Sequence, residues 1–138
     1  MKKSLKSILA ASDVVLYLTK KRYTNWSTAL KLTKAYKDMN SNKEFYMEQV
    51  KILLNEYANK KENGSFDIDE QGNFTFKDIE TAHKFQTELN NLQSTEVEVF
   101  DPITIDISQI QDQLSLTPEE ISKLDGFIIF TEEKANAW

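Results

Sequence analysis

The chain has no cysteine, one histidine, three glycines and two prolines in 138 residues. Without Cys and with a single His, the ligand sets of structural zinc and of iron–sulfur clusters are missing, as are disulfides and thiol catalysis. The scarcity of Gly and Pro leaves little material for long irregular loops, so the sequence reads as compact and rich in regular elements. No stretch approaches the ~20 apolar residues that a membrane-spanning helix needs. Met1-Lys2-Lys3 before Ile8-Leu9-Ala10-Ala11 has the outline of a signal peptide. Asp13 interrupts the apolar run, however, no small-x-small site follows, and the run ends in Lys20-Lys21-Arg22. An ordinary amphipathic helix is expected there.

Charge is abundant but unevenly placed. Residues 1–61 carry 13 Lys/Arg and 5 Asp/Glu, whereas residues 62–138 carry 4 and 17. Opposed halves of this kind attract one another inside one fold, steer a partner or a second copy into register, or present an anion-binding face. The length fits a single domain over 1–138, with a basic helical half (1–61) and an acidic mixed α/β half (62–138).

Leu5, Ile8, Leu9, Ser12, Val15, Leu16 and Thr19 follow helical spacing, which predicts a first helix from Ser4 to about Lys20. After a short link, Trp26, Ala29, Leu30, Thr33 and Tyr36 open a second helical face, and the two form a helical hairpin. Asn40-Ser41-Asn42 are poor helix formers, so residues 26–59 are either one bent helix or two helices meeting near 41. Phe66, Ile68, Phe74 and Phe76 alternate with polar residues around a Gly72 turn and read as a β-hairpin. Asp78 is the expected N-cap of a third helix with Ile79, Ala82, Phe85, Leu89 and Leu92 on its apolar face. Val97/Val99 and Ile103/Ile105/Ile107 then alternate as two short strands or as one strand kinked at Pro102. Thr117-Pro118-Glu119-Glu120 places a hydroxyl, a proline and a carboxylate where a helix start uses them. Ile121, Leu124, Phe127 and Ile128 give that last helix its apolar face, with Gly126 as a point that can shorten it.

The expected class is therefore α+β: an N-terminal helical hairpin and a third helix packed on a small, mostly antiparallel sheet from residues 65–77 and 95–107, with a short C-terminal helix. The expected core includes Leu9, Leu16, Trp26, Leu30, Leu53, Phe74, Phe85, Leu89, Val97, Ile105 and Leu124.

Few groupings suggest chemistry. Asp67, Asp69 and Gly72 match positions 1, 3 and 6 of an EF-hand calcium loop, but Gln71 stands at 5, Asp78 at 12, and Asn63-Gly64 breaks the entering helix. A hairpin turn is the expected reading, with calcium binding left open. His83 has no nucleophile turn or phosphate loop beside it and reads as a histidine without chemical duty. The carboxylate pairs Glu119/Glu120, Glu96/Glu98 and Asp67/Asp69 are what an acidic half yields by chance. No catalytic residue, cofactor or metal ligand is assigned. The residues assigned to a partner surface are Lys20, Lys21, Arg22, Tyr23, Trp26, Lys34 and Trp138, basic and aromatic side chains that suit protein contacts or, alternatively, phosphate backbones.

The order of features, from the Asn63-Gly64 and Asp69-Glu-Gln-Gly-Asn73 turns through Leu89-Asn-Asn-Leu92 and Ser94-Thr-Glu-Val-Glu-Val99 to Ile103/Ile105 and Leu116-Thr-Pro-Glu-Glu120, resembles a family of small uncharacterised proteins of bacteriophages and prophages from low-GC bacteria. The resemblance covers most of residues 45–128 and implies a phage-related role without catalytic residues to transfer. The expected function is a non-enzymatic protein-binding module acting in virion or tail assembly or on a host protein. The expected location is the host cytoplasm or a virion. A nucleic-acid-binding accessory protein using the basic N-terminal helices is the alternative.

Overall fold

The computed structural model describes residues 1–132. In chain order the elements are β1 (Lys2–Ser4), α1 (Leu5–Thr19), α2 (Trp26–Tyr57), α3 (Ile79–Ser94), β2 (Glu96–Glu98), β3 (Ile103–Asp106), α4 (Pro118–Lys123) and β4 (Ile128–Thr131), with a 3-10 turn at Ile107–Gln109. The fold is α+β. It falls into two compact units, one built from residues 1–43 and 96 onward, the other from Glu44–Thr95. α2 contributes its first part to one unit and its last part to the other.

The two units carry different charge balances. Residues 1–43 hold ten Lys/Arg against two Asp/Glu, and residues 96–138 hold two against ten. The first unit thus joins a +8 segment to a −8 segment and is neutral, while residues 44–95 keep five basic against ten acidic groups. The boundaries do not follow the charge border at 61/62.

The first unit is organised around α1. Ser4 caps it by accepting from the Ser7 N–H at 3.2 Å, and Leu5, Ile8, Ala11, Val14, Val15 and Leu18 are buried along it. Leu32, Ala35 and Met39 of α2 join the same cluster, as do Val99, Ile103, Ile105, Leu124, Phe127 and Ile128. Fully burying one such aliphatic side chain stabilises a fold by about 1.5–3 kcal/mol, so this cluster supplies most of the unit's cohesion.

The strands form two separate pairs. β1 runs antiparallel to β2, with Lys3 opposite Val97, and β3 runs parallel to β4, with Ile103 opposite Ile128. A parallel pair needs a crossover connection, and α4 lies within it. The Thr117 hydroxyl accepts from the Glu120 N–H at 3.2 Å while Glu120 Oε1 accepts from the Thr117 N–H at 3.0 Å, closing the capping box. Gly126, at φ +81°, turns the chain from α4 into β4. Phe127 and Ile128 therefore belong to the turn and β4, not to the last helix.

The second unit holds the hairpin expected at residues 65–77 and a third segment beside it. Asn59 N–H donates to Thr75 C=O at 2.9 Å, Thr75 N–H to Asp67 C=O at 3.2 Å, and Asp67 N–H to Asn59 C=O at 2.9 Å. Three residues spaced eight apart thus close a ring of backbone hydrogen bonds. Their side chains repeat the connection: Asn59 Nδ2 donates to Thr75 Oγ1 at 3.2 Å, which donates to Asp67 Oδ2 at 2.9 Å. Phe66 meets Phe74 edge-on at 5.5 Å, and Phe76 lies 5.2 Å from Phe85 of α3.

Several expectations need correction. The strands form two pairs, one of them parallel, and the 65–77 hairpin and α3 lie in the second unit while both pairs lie in the first. Of the two readings of residues 26–59, the single helix holds: α2 runs through Asn40-Ser41-Asn42, where Asn42 Nδ2 donates to the Asp38 carbonyl at 3.0 Å and so bonds within its own helix. Of the expected core, Phe85, Ile105 and Leu124 are buried, and Leu9, Leu16, Leu53, Leu89 and Val97 are half-buried. Trp26, Leu30 and Phe74 are exposed. In α2 the buried stripe is Thr28, Leu32, Ala35 and Met39. It starts two residues from Trp26, a rotation of about 200° that carries Trp26 and Leu30 to the opposite face.

Candidate functional site

The basic corner after α1 is held by the segment that follows β3, through backbone hydrogen bonds and one carboxylate, Asp112. Arg22 N–H donates to Asp112 Oδ2 at 2.8 Å, Arg22 C=O accepts from Gln111 N–H at 2.8 Å, and Thr24 N–H donates to Gln109 C=O at 2.9 Å. Between them Tyr23 pairs with Ile110. The Tyr23 ring is buried, its hydroxyl donates to the Leu18 carbonyl at 2.7 Å, and burial pushes the phenol up to about 12. Tyr23 is thus an interior anchor and not a surface contact.

Lys21 is also engaged: its ammonium lies 4.5 Å above the Tyr17 ring. The Tyr17 oxygen accepts from the Ser115 N–H at 3.0 Å, and that backbone donor, with Lys21 beside it, lowers the phenol from its ordinary value. Lys20 and Arg22 are exposed, and Trp26 is 84% exposed at the start of α2. Lys34 stands two turns further along α2, in a groove with Lys31. Trp138 lies outside the described residues.

The residues considered for chemistry have structural partners. Asp69 Oδ1 accepts from the Gln71 and Asn73 N–H groups at 2.9 Å each, and Asp67 is held in the Thr75 network, so both carboxylates serve the hairpin. Glu120 closes the α4 capping box, and the Thr117 donors lower its carboxyl from the ordinary value. Glu119 lies 3.9 Å from Lys123. His83 sits on the exposed side of α3. Among the described residues, no group of three or more His, Asp or Glu is arranged to hold a metal ion.

Concave surface lies elsewhere. In the first unit, a groove of about 600 Å³ runs between Lys31, Lys34, Ala35 and Asp38 of α2 and the stretch Phe100–Thr104. In the second unit, a groove of about 380 Å³ presents a mostly apolar surface, with Tyr46, Val50, Leu54 and the Lys51 side chain from α2, Phe85 and Leu89 from α3, and Phe74 from the hairpin. Met47, 59% exposed, stands at its border, and Phe45 and Ile52 are also uncovered on this part of α2. Neither groove was visible as a motif. The signal for the second is the helical spacing of Tyr46, Val50 and Leu54, which marks an apolar helix face without showing what covers it. Comparison of the chain with protein-family models, curated proteins and solved structures finds no match.

Proposed function

We propose that the protein is a non-enzymatic protein-binding module. The observation that carries this reading is the apolar groove of the second unit. Exposed Met47 and Phe74 edge a concavity walled by two helices and a hairpin, and apolar surface gathered in this way is what a partner's side chains cover. Positions 46, 50 and 54 of α2 and 85 and 89 of α3 each recur one helical turn apart along the groove wall, a spacing suited to an apolar helix face or an aromatic anchor. Only Leu54 and Phe85 of this unit's hydrophobic residues are buried among those described, so a partner would add to a small core.

The resemblance to small phage and prophage proteins supports a partner among virion components or host proteins, in the cytoplasm of a bacterial host or on a virion. No helix among the described residues is long and apolar enough to cross a membrane. Nucleic-acid binding, the alternative, draws on the exposed Lys20 and Arg22. It is opposed by Asp112 at the same corner and by the neutral balance of the first unit. The two readings separate in a binding assay at rising salt with Lys20, Lys21 and Arg22 reversed to Glu. The protein-binding reading expects the principal partner to be retained, whereas loss together with a steep salt dependence overturns it.

A further inference from the structure

We propose that the groove between α2 and β3 receives an extended, acidic segment of a partner protein, which adds to β3 as a third strand. This inference names a partner chemistry within the protein-binding reading and rests on it, but it concerns a different surface from the apolar groove.

β3 is paired on one side only. Ile103 N–H donates to the Phe127 carbonyl at 2.9 Å, and Ile103 stands opposite Ile128 in the parallel ladder. Backbone groups of successive residues point to opposite edges, so the N–H and C=O of Thr104 face away from β4. Among the described residues no strand pairs with that edge. Thr104 and Pro102 both line the groove. The edge therefore offers a new strand the Pro102 carbonyl and both backbone groups of Thr104, the row of unmatched partners that strand addition uses.

The opposite wall selects the occupant by charge. Lys31 and Lys34 are exposed on α2, about 4.5 Å apart along its axis, and among the described residues neither is in an ion pair. Asp101 lies 3.4 Å from the Met1 ammonium, and Asp38 stands a further turn along, so the Lys31–Lys34 end of the groove is cationic. Alternate residues of a strand share a face, so an extended segment with carboxylates at positions i and i+2 meets both ammonium groups while its backbone bonds to Thr104. A nucleic-acid strand would meet the two lysines but leave the backbone groups of the Thr104 edge unpaired.

The test uses the full chain, isotope-labelled, and a capped heptapeptide alternating valine and glutamate. On millimolar peptide the Thr104 amide is expected to shift and its hydrogen exchange to slow at least about tenfold, as for a newly bonded edge amide. The variant Lys31→Glu/Lys34→Glu should weaken binding by tenfold or more, about 1.4 kcal/mol. Thr104→Pro removes a donor that serves no ladder bond and should abolish binding with the thermal midpoint kept; if that variant fails to fold, the lysine reversal and the exchange data decide. Equal binding of a valine–lysine peptide, or peptide binding that leaves Thr104 unchanged, overturns the proposal. No binding at all overturns it as well. If that happens while Met47→Glu still costs the protein a stoichiometric partner, the protein-binding reading survives and this site alone falls.

Discussion

Replacing Tyr23 by Phe separates an interior anchor from a surface contact. The Tyr23 hydroxyl donates to the Leu18 carbonyl at 2.7 Å in a buried setting, and the same carbonyl accepts from Lys21 N–H at 3.2 Å. Tyr23→Phe therefore removes one neutral hydrogen bond without leaving the acceptor unpaired, which puts the loss near 1 kcal/mol, or roughly 3–5 °C in thermal midpoint. The pH dependence adds a second readout. An unfolded phenol titrates near 10, whereas in the fold burial raises Tyr23 to about 12. The neutral form is favoured by folding, so this contribution is complete below pH 10 and is lost as the pH rises toward 12. Phe does not titrate, so the gap between wild type and variant should narrow above pH 10. Urea unfolding of both proteins at pH 8 and at steps above pH 10 measures this, and lysine titration cancels in the difference. An unchanged midpoint at pH 8 with loss of partner binding would refute the assignment of Tyr23 to the core.

Other perturbations test the remaining elements. Thr75→Val breaks the side-chain link from Asn59 to Asp67 and should destabilise the second unit by roughly 1–2 kcal/mol, seen as faster exchange of the Asp67 and Thr75 amides. Gly126→Ala forces a Cβ onto a residue at φ +81° and against the Lys3 ammonium, so a loss of about 1 kcal/mol or more is expected in thermal unfolding. Asp78 Oδ1 accepts from the Thr81 N–H at 2.8 Å, which lowers its carboxyl from the ordinary value. Asp78→Ala should fray the start of α3, read as faster Thr81 amide exchange. The carboxylate's contribution is present above the ordinary carboxylate range and lost as the pH falls through the lowered value, so the difference from wild type should vanish in acid.

Local chemistry was legible wherever one residue decides a local hydrogen bond. Asp78 and Thr117 cap their helices as their spacing to Thr81 and Glu120 implies, and Asp69 with Gly72 makes the hairpin turn. Faces and pairings were harder. In α2 the large apolar residues Trp26 and Leu30 outweighed the buried stripe, which includes the small or polar Thr28 and Ala35, because the burial of a helix face is set by what packs on it. Phe127 and Ile128 read as part of the last helix because a short apolar run has no intrinsic period, and the parallel partner that makes Ile128–Thr131 a strand lies some 25 residues earlier, at Ile103–Asp106. The partner residues divided for the same reason: a basic-aromatic cluster near residue 22 is visible in sequence, but the depth of Tyr23 depends on Ile110. The ring through Asn59, Asp67 and Thr75 carried only its eight-residue spacing, which no short-range rule reads as pairing.

The central claim is that the second unit binds a protein through its apolar groove. Its most direct test is a tagged pull-down from infected and uninfected low-GC host lysate, with nuclease, comparing wild type with Met47→Glu. Met47 is 59% exposed, so the charge should leave the unfolding midpoint nearly unchanged while placing a carboxylate at the groove. A nuclease-resistant, stoichiometric partner that the wild type holds and Met47→Glu loses is the predicted result. A partner held equally by both proteins, or one lost on nuclease treatment, would contradict the account.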